Sequence, residues 1–160
     1  IDCWRRAVTR VRKELSAVDG QNAAFYQKRA AKVRRELASL QRWATTELAK
    51  VPVKSRTLAT AHAAFGYFCN EHGWKMLAVQ GLNRERVDSP KFLAEVVSAI
   101  RKEKVRALFP EQRSNPKILR TVAEGAGVVV GEPLIADGGS SIEEMFRHNV
   151  SVIVGALGEK

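Results

Sequence analysis

Apolar residues recur along the first third of the chain at intervals of three and four. Trp4, Val8, Val11, Leu15 and Val18 form one series, and Tyr26, Ala30, Val33, Leu37, Leu40, Ala44 and Leu48 form a second. Because 3.6 residues complete a helical turn, each series lies on one face of an α-helix. Asp19-Gly20 separates the two, and neither Gly nor Pro follows until Pro52. The second series predicts a helix over about 21–50, about 45 Å long at 1.5 Å per residue. That length suits a coiled-coil arm or a spine between two lobes.

After Pro52 short apolar runs alternate with helical periodicity. The pattern predicts strands over 57–61, 76–79, 105–109 and 128–130, and helices over 63–72, 90–104, 116–126 and 142–157. Ser89-Pro90 and Asn115-Pro116 each set a capping side chain before a proline at the first helical position. Strands that alternate with helices pair in parallel, since parallel strands need crossover connections. The fold class expected is therefore α/β: a small four-stranded, mostly parallel sheet flanked by helices and preceded by a long helix. The division falls between N-terminal helices, 1–50, and an α/β lobe, 51–160.

The chain has 160 residues, one domain or one lobe of a larger protein, and its 45% apolar content excludes disorder. No segment reaches the roughly 18 uninterrupted apolar residues of a membrane span. The chain opens on Ile1-Asp2-Cys3-Trp4 without an initiator Met, signal peptide or transit peptide, so a fragment or excised domain is expected. Cys3 and Cys69 form neither a disulfide framework nor a C-x-x-C pattern, and read as small buried or incidental thiols.

The net charge of +10 is uneven: residues 1–50 carry 12 basic and 5 acidic side chains, against 15 and 12 in residues 51–160. A basic stripe including Arg5, Arg6, Arg10, Lys28 and Arg29 could neutralise phosphates, form a solvated helix face, or meet an acidic partner. The alternative function this admits is a basic helical nucleic-acid-binding or protein-interaction module. No aromatic-interleaved platform accompanies the charge, which makes nucleic acid the weaker choice.

In an open parallel sheet, ligand-binding side chains lie beyond the carboxyl ends of the strands. Four residues fit: His62, Gln80, Glu111 and Asp137. One imidazole and two carboxylates suit zinc, manganese or iron, and the absence of thiolate argues against a closed structural zinc site. From spacing alone, ordinary loop polarity and helix capping account for such residues better than a metal does, and Asp137 in Ala-Asp-Gly-Gly-Ser could be a turn residue. Ser140, Ser141, His62 and Asp137 hold the ingredients of a hydrolytic triad, but there is no G-x-S-x-G elbow, no P-loop lysine and no G-x-G-x-x-G. An enzyme is not expected.

Residues 58–68, Leu-Ala-Thr-Ala-His-Ala-Ala-Phe-Gly-Tyr-Phe, resemble the T-x-H-x-A-F-G-Y-F segment of the metal-binding substrate-binding proteins of bacterial ABC importers for zinc and manganese. Four further stretches agree in order: Val79 to Leu82; Leu108 to Glu111 with Asn115 to Lys117; Gly131 to Leu134 with Asp137; and Met145 to Val150. The resemblance covers residues 51–160 and extends loosely into the helix before them.

It implies two α/β lobes joined by one long rigid helix, with a divalent transition metal, Zn2+ or Mn2+, held in the cleft as transported ligand. On this resemblance the chain is the connecting helix plus the C-terminal lobe, and the metal ligands it supplies are His62 and Asp137. Two further histidines would come from a missing N-terminal lobe. Glu111 is implied near the cleft, orienting a ligand imidazole or coordinating directly. His148 is implied to be structural, and His72 reads as a helix C-terminal residue where positive charge is favourable. The partner implied is the membrane permease of an ABC importer, at a periplasmic or extracellular location. A homodimer of the fragment could cover the apolar face left by the missing lobe. Two departures from the family pattern are Ala63, where Asp is common, and Ile135, where Tyr is common.

Overall fold

A computed structural model describes residues 1–79, 90–113 and 115–159. The chain divides into two compact units, Ile1–Thr46 and Glu47–Lys160.

The first unit contains α1 (Asp2–Val18), one turn of 3-10 helix (Gly20–Asn22) and most of α2 (Ala23–Leu48). Asp19 organises the turn between them: its carboxylate accepts from Tyr26 Oη at 2.6 Å and Asn22 Nδ2 at 2.8 Å. Those donors, the Tyr26 hydroxyl foremost, hold the Asp19 carboxyl below its ordinary pKa. The turn delays the long helix by two residues relative to the periodicity. Within this unit Trp4, Val8, Val11 and Leu15 of α1 and Tyr26, Ala30 and Val33 of α2 line an apolar groove of about 300 Å³. Several cations of the basic stripe are paired one turn away, Arg6 with Asp2 at 2.8 Å and Arg10 with Glu14 at 2.9 Å. Exposed pairs of this kind contribute only about 0.3–0.5 kcal/mol each.

The second unit is built on a sheet of four strands: β1 (Thr57–Thr60), β2 (Lys75–Ala78), β3 (Ala107–Phe109) and β4 (Val129–Val130). Their order is β2-β1-β3-β4, and every pairing is parallel. The crossovers carry α3 (Gly66–His72), α4 (Pro90–Lys102) and α5 (Lys117–Ala126), and α6 (Ile142–Leu157) closes the chain. The central strands β1 and β3 are buried at every position, as expected of parallel strands covered on both faces. Ala59 and Leu108 pack with Ile100 of α4 and Leu119, Val122 and Ala123 of α5 in one apolar cluster. Gly131, just after β4, lies where an added Cβ would meet the Phe109 ring at 2.7 Å, so only glycine fits.

Most boundaries shift from the sequence pattern by one to three residues, and three of the shifts have a local reason. Residues 61–65 form a turn rather than the start of α3, because backbone groups of His62 are taken by Thr60 and Glu111. Strand β3 begins two residues late because α4 ends in a left-handed closure: Lys104 has φ of 51° and Val105 N–H donates back to Ile100 O at 3.1 Å. Pro116 is the N-cap of α5 rather than its first helical residue, the helix starting at Lys117, whose N–H donates to Asn115 Oδ1 at 3.0 Å. The expected Ser89 cap and Gln80 lie outside the described residues.

His72 does end α3, with left-handed Gly73 after it. The favourable positive charge expected there is not realised, because burial pushes its pKa below the ordinary value. Its ring packs on Phe68 at 4.9 Å between centroids, and Phe68 also touches Trp74 and Phe146.

Two stability predictions follow from these contacts. Asn149 on α6 clamps the Ile135 backbone, its Oδ1 accepting from Ile135 N–H at 2.8 Å and its Nδ2 donating to Ile135 O at 2.9 Å. Asn149→Ala strands both buried backbone groups and should cost about 1–3 kcal/mol in urea unfolding. The unfolded chain protonates His72 at a higher pH than the folded one, so it binds more protons between the depressed folded pKa and about 6.5. Stability is therefore full above about pH 6.5 and falls as pH drops below it; His72→Phe should flatten that part of the melting-temperature profile.

Candidate metal centre

The strand order reverses direction between β1 and β3: from β1 the chain moves to one edge of the sheet, from β3 to the other. In open α/β sheets the crevice at that switch point, beyond the carboxyl ends of the strands, is the usual ligand site. His62 stands two residues past β1 and Glu111 two residues past β3. The two strands are hydrogen-bonded neighbours, Ala59 opposite Leu108 and Thr60 opposite Phe109, and this register brings the two side chains together.

Glu111 grips His62 at two points. Its Oε1 accepts from the His62 backbone N–H at 2.9 Å, and its Oε2 lies 3.2 Å from His62 Nδ1. Thr60, fully buried in β1, donates its hydroxyl to His62 O at 2.6 Å. Glu111 is only 7% exposed, whereas the His62 side chain is 41% exposed. The carboxylate is itself positioned by backbone pairing, since residue 111 bridges to Leu134, with Gln112 N–H donating to Leu134 O at 2.9 Å and Leu134 N–H to Pro110 O at 2.8 Å. A carboxylate can only accept, so neutral His62 carries its proton on Nδ1 and keeps Nε2 as a lone pair. That is how a carboxylate prepares an imidazole to bind a metal through the far nitrogen.

Asp137 lies three residues beyond the Leu134 bridge, and it is exposed. Gly138 and Gly139 follow it with φ of 87° and 90°, backbone that a Cβ would strain. Among the described residues no three His, Cys, Asp or Glu side chains gather closely enough to hold a metal. The imidazole and two carboxylates read to one edge are thus a bonded pair, His62 with Glu111, and a separate exposed aspartate.

The remaining candidates have other uses. Ser141 Oγ accepts from Glu144 N–H at 3.1 Å as the cap of α6, and Ser140 bonds the Glu144 carboxylate with both its hydroxyl and its N–H. Those bonds hold the Glu144 carboxyl below its ordinary pKa, the Ser140 hydroxyl foremost. His62, Ser140 and Ser141 are thus bonded to Glu111 and Glu144. His148 Nε2 donates to Pro133 O at 2.7 Å, which ties α6 to the segment before Leu134. Burial raises the Cys69 thiol to about 11, leaving an inert core side chain. The sequence pattern does not single out Thr60, one of two buried threonines in β1, although a hydroxyl at the end of a buried strand two residues before a histidine is a readable signal.

The family model for the zinc-uptake complex component A, periplasmic, matches residues 1–156, and the chain belongs to that family. It is a family of transport components, not of enzymes. The manganese-binding lipoprotein MntA of Bacillus subtilis is 33% identical over 98% of this chain and 55% of its own length. The manganese ABC transporter substrate-binding lipoprotein PsaA of Streptococcus pneumoniae is 25% identical over 92% of this chain and 50% of its own. The chain therefore spans about half the length of the curated relatives it matches.

Among solved structures, the laminin-binding protein Lmb of Streptococcus agalactiae, described as a bifunctional protein with adhesin and metal-transporting activity, superposes with a TM-score of 0.77 at 30% identity, covering 92% of this chain and 58% of that one. The periplasmic zinc-binding protein TroA of Treponema pallidum superposes with a TM-score of 0.84 over 98% of this chain and 61% of that one, at 24% identity, and shares the fold. The α/β sheet with a long preceding helix is the architecture the pattern predicted.

The Glu111–His62 geometry is testable without metal. At a pH where the ring is neutral, long-range proton–nitrogen NMR should find His62 in its Nδ1–H form. Glu111→Ala should convert it to a mixture of tautomers. An Nε2–H form in the wild type would contradict the assignment.

Proposed function

We propose that this chain is the metal-binding C-terminal half of an extracytoplasmic substrate-binding protein that delivers zinc or manganese to an ABC importer. The observation that carries this reading is the buried Glu111 bonded to both His62 N–H and His62 Nδ1, which reserves Nε2 for an electrophile at the switch point of the sheet. His62 Nε2 and an Asp137 oxygen are the ligands contributed by this chain. Imidazole and carboxylate are donors suited to zinc and manganese alike. Glu111 acts through His62 rather than on the ion.

Two ligands leave coordination positions to be filled. In the intact protein they are filled by histidines of an N-terminal lobe, and α2 serves as the rigid connection between the lobes. The division into 1–50 and 51–160 belongs to this reading. The relatives named as lipoproteins support an extracytoplasmic place beside the permease. No helix among the described residues is long and apolar enough to cross a membrane, so attachment would be through an anchor outside them or through the importer.

In calorimetry on the intact protein, His62→Ala and Asp137→Ala should each weaken zinc or manganese binding by roughly 100-fold or more, and Glu111→Gln by about 10–100-fold through loss of ring orientation. His148→Ala should leave affinity unchanged. Wild-type affinity in both of the first two variants would remove this function.

A further inference from the structure

The turn that follows Glu111 carries a cation toward the second ligand. Arg113 lies two residues beyond Glu111, and its guanidinium is laid against Gly138: a Cβ built on that glycine would stand 3.4 Å from Nη2, 3.6 Å from Cζ and 4.0 Å from Nη1. Gly138 is the residue after Asp137, and its φ of 87° is a conformation that favours glycine. Arg113 and Asp137 are both exposed, and the guanidinium lies against the residue that follows the aspartate, not in the core. Arginine cannot shed its proton near neutral pH, so this is a permanent positive charge.

Taking Asp137 as a ligand, the reading proposed above, we propose that Arg113 is a positioning residue that sets the affinity of the cation site. It acts as a fixed counter-charge that lowers the grip on a divalent ion and favours its release. Before the ion arrives, the guanidinium offsets the negative potential of Asp137. When a dication binds, the same guanidinium repels it with twice the force it would exert on a monovalent one. A receptor that must surrender its cargo gains from such a bias, because ligand set and affinity can then be adjusted separately. The charge is exposed, so salt must screen it.

The test is metal titration of the intact protein with Zn2+ and with Mn2+ alone, at low salt and at about 1 M KCl, where the Debye length falls to about 3 Å. Arg113→Gln should tighten binding by about tenfold at low salt, and Arg113→Lys, which keeps the charge, should stay near wild type. The Arg113→Gln gain should collapse at high salt. Unchanged or weaker binding in Arg113→Gln overturns the inference, as does a gain that persists at high salt, which would mark a packing effect. Asp137→Asn separates the two levels: if it weakens binding while Arg113→Gln changes nothing, the site stands and the role of Arg113 falls. If Asp137→Asn binds like wild type, the site itself falls. Melting curves of the metal-free variants confirm that each is folded.

Discussion

One buried carboxylate joins the two halves of the candidate site. Glu111 takes the backbone N–H and the Nδ1 of His62 on one side, while residue 111 is paired through its own backbone with Leu134 on the other. A carboxylate that is 7% exposed must be satisfied or it destabilises the fold. Here satisfying it and aiming the imidazole are the same act. The pair ties the end of β1 to the end of β3, and the Leu134 bridge then sets where the chain carrying Asp137 departs.

The topology makes this economical. With the strand order β2-β1-β3-β4, the two central strands are neighbours in space but separated in sequence by two crossovers. Their carboxyl ends meet where the winding reverses, so short buried strands suffice to bring residues 62 and 111 within bonding distance. The outer supports are spread over α6, where Asn149 clamps Ile135, His148 holds Pro133 and Ser141 caps the helix just after the glycine loop. The last helix thus braces the segment on which Asp137 stands.

Much of this was legible in the chain itself. The period of three to four from Trp4 to Leu48 marked both helices, and the alternation after Pro52 marked a parallel sheet, because apolar spacing reports directly on which face is buried. The sheet edge was legible for His62 and Glu111, which each follow a buried strand. The pairing of His62 with Glu111 was implied only by the resemblance, as a carboxylate orienting a ligand imidazole; apolar spacing could not show it, because 49 residues separate the two and strand register decides that they meet. The helix start at Gly66 was missed for the same reason: a long-range acceptor takes the His62 N–H, and local propensity cannot see it. The charge expected at His72 failed because burial, which depends on the aromatic packing around α3, outweighed its place at a helix end.

The decisive measurement is the position of the cation in the intact protein loaded with zinc or manganese, by anomalous diffraction at the metal edge. The account predicts one strong peak about 2.0–2.2 Å from both His62 Nε2 and an Asp137 oxygen, with Glu111 still on Nδ1. A peak bonded to Glu111 or to Nδ1, or one remote from both residues, would contradict it.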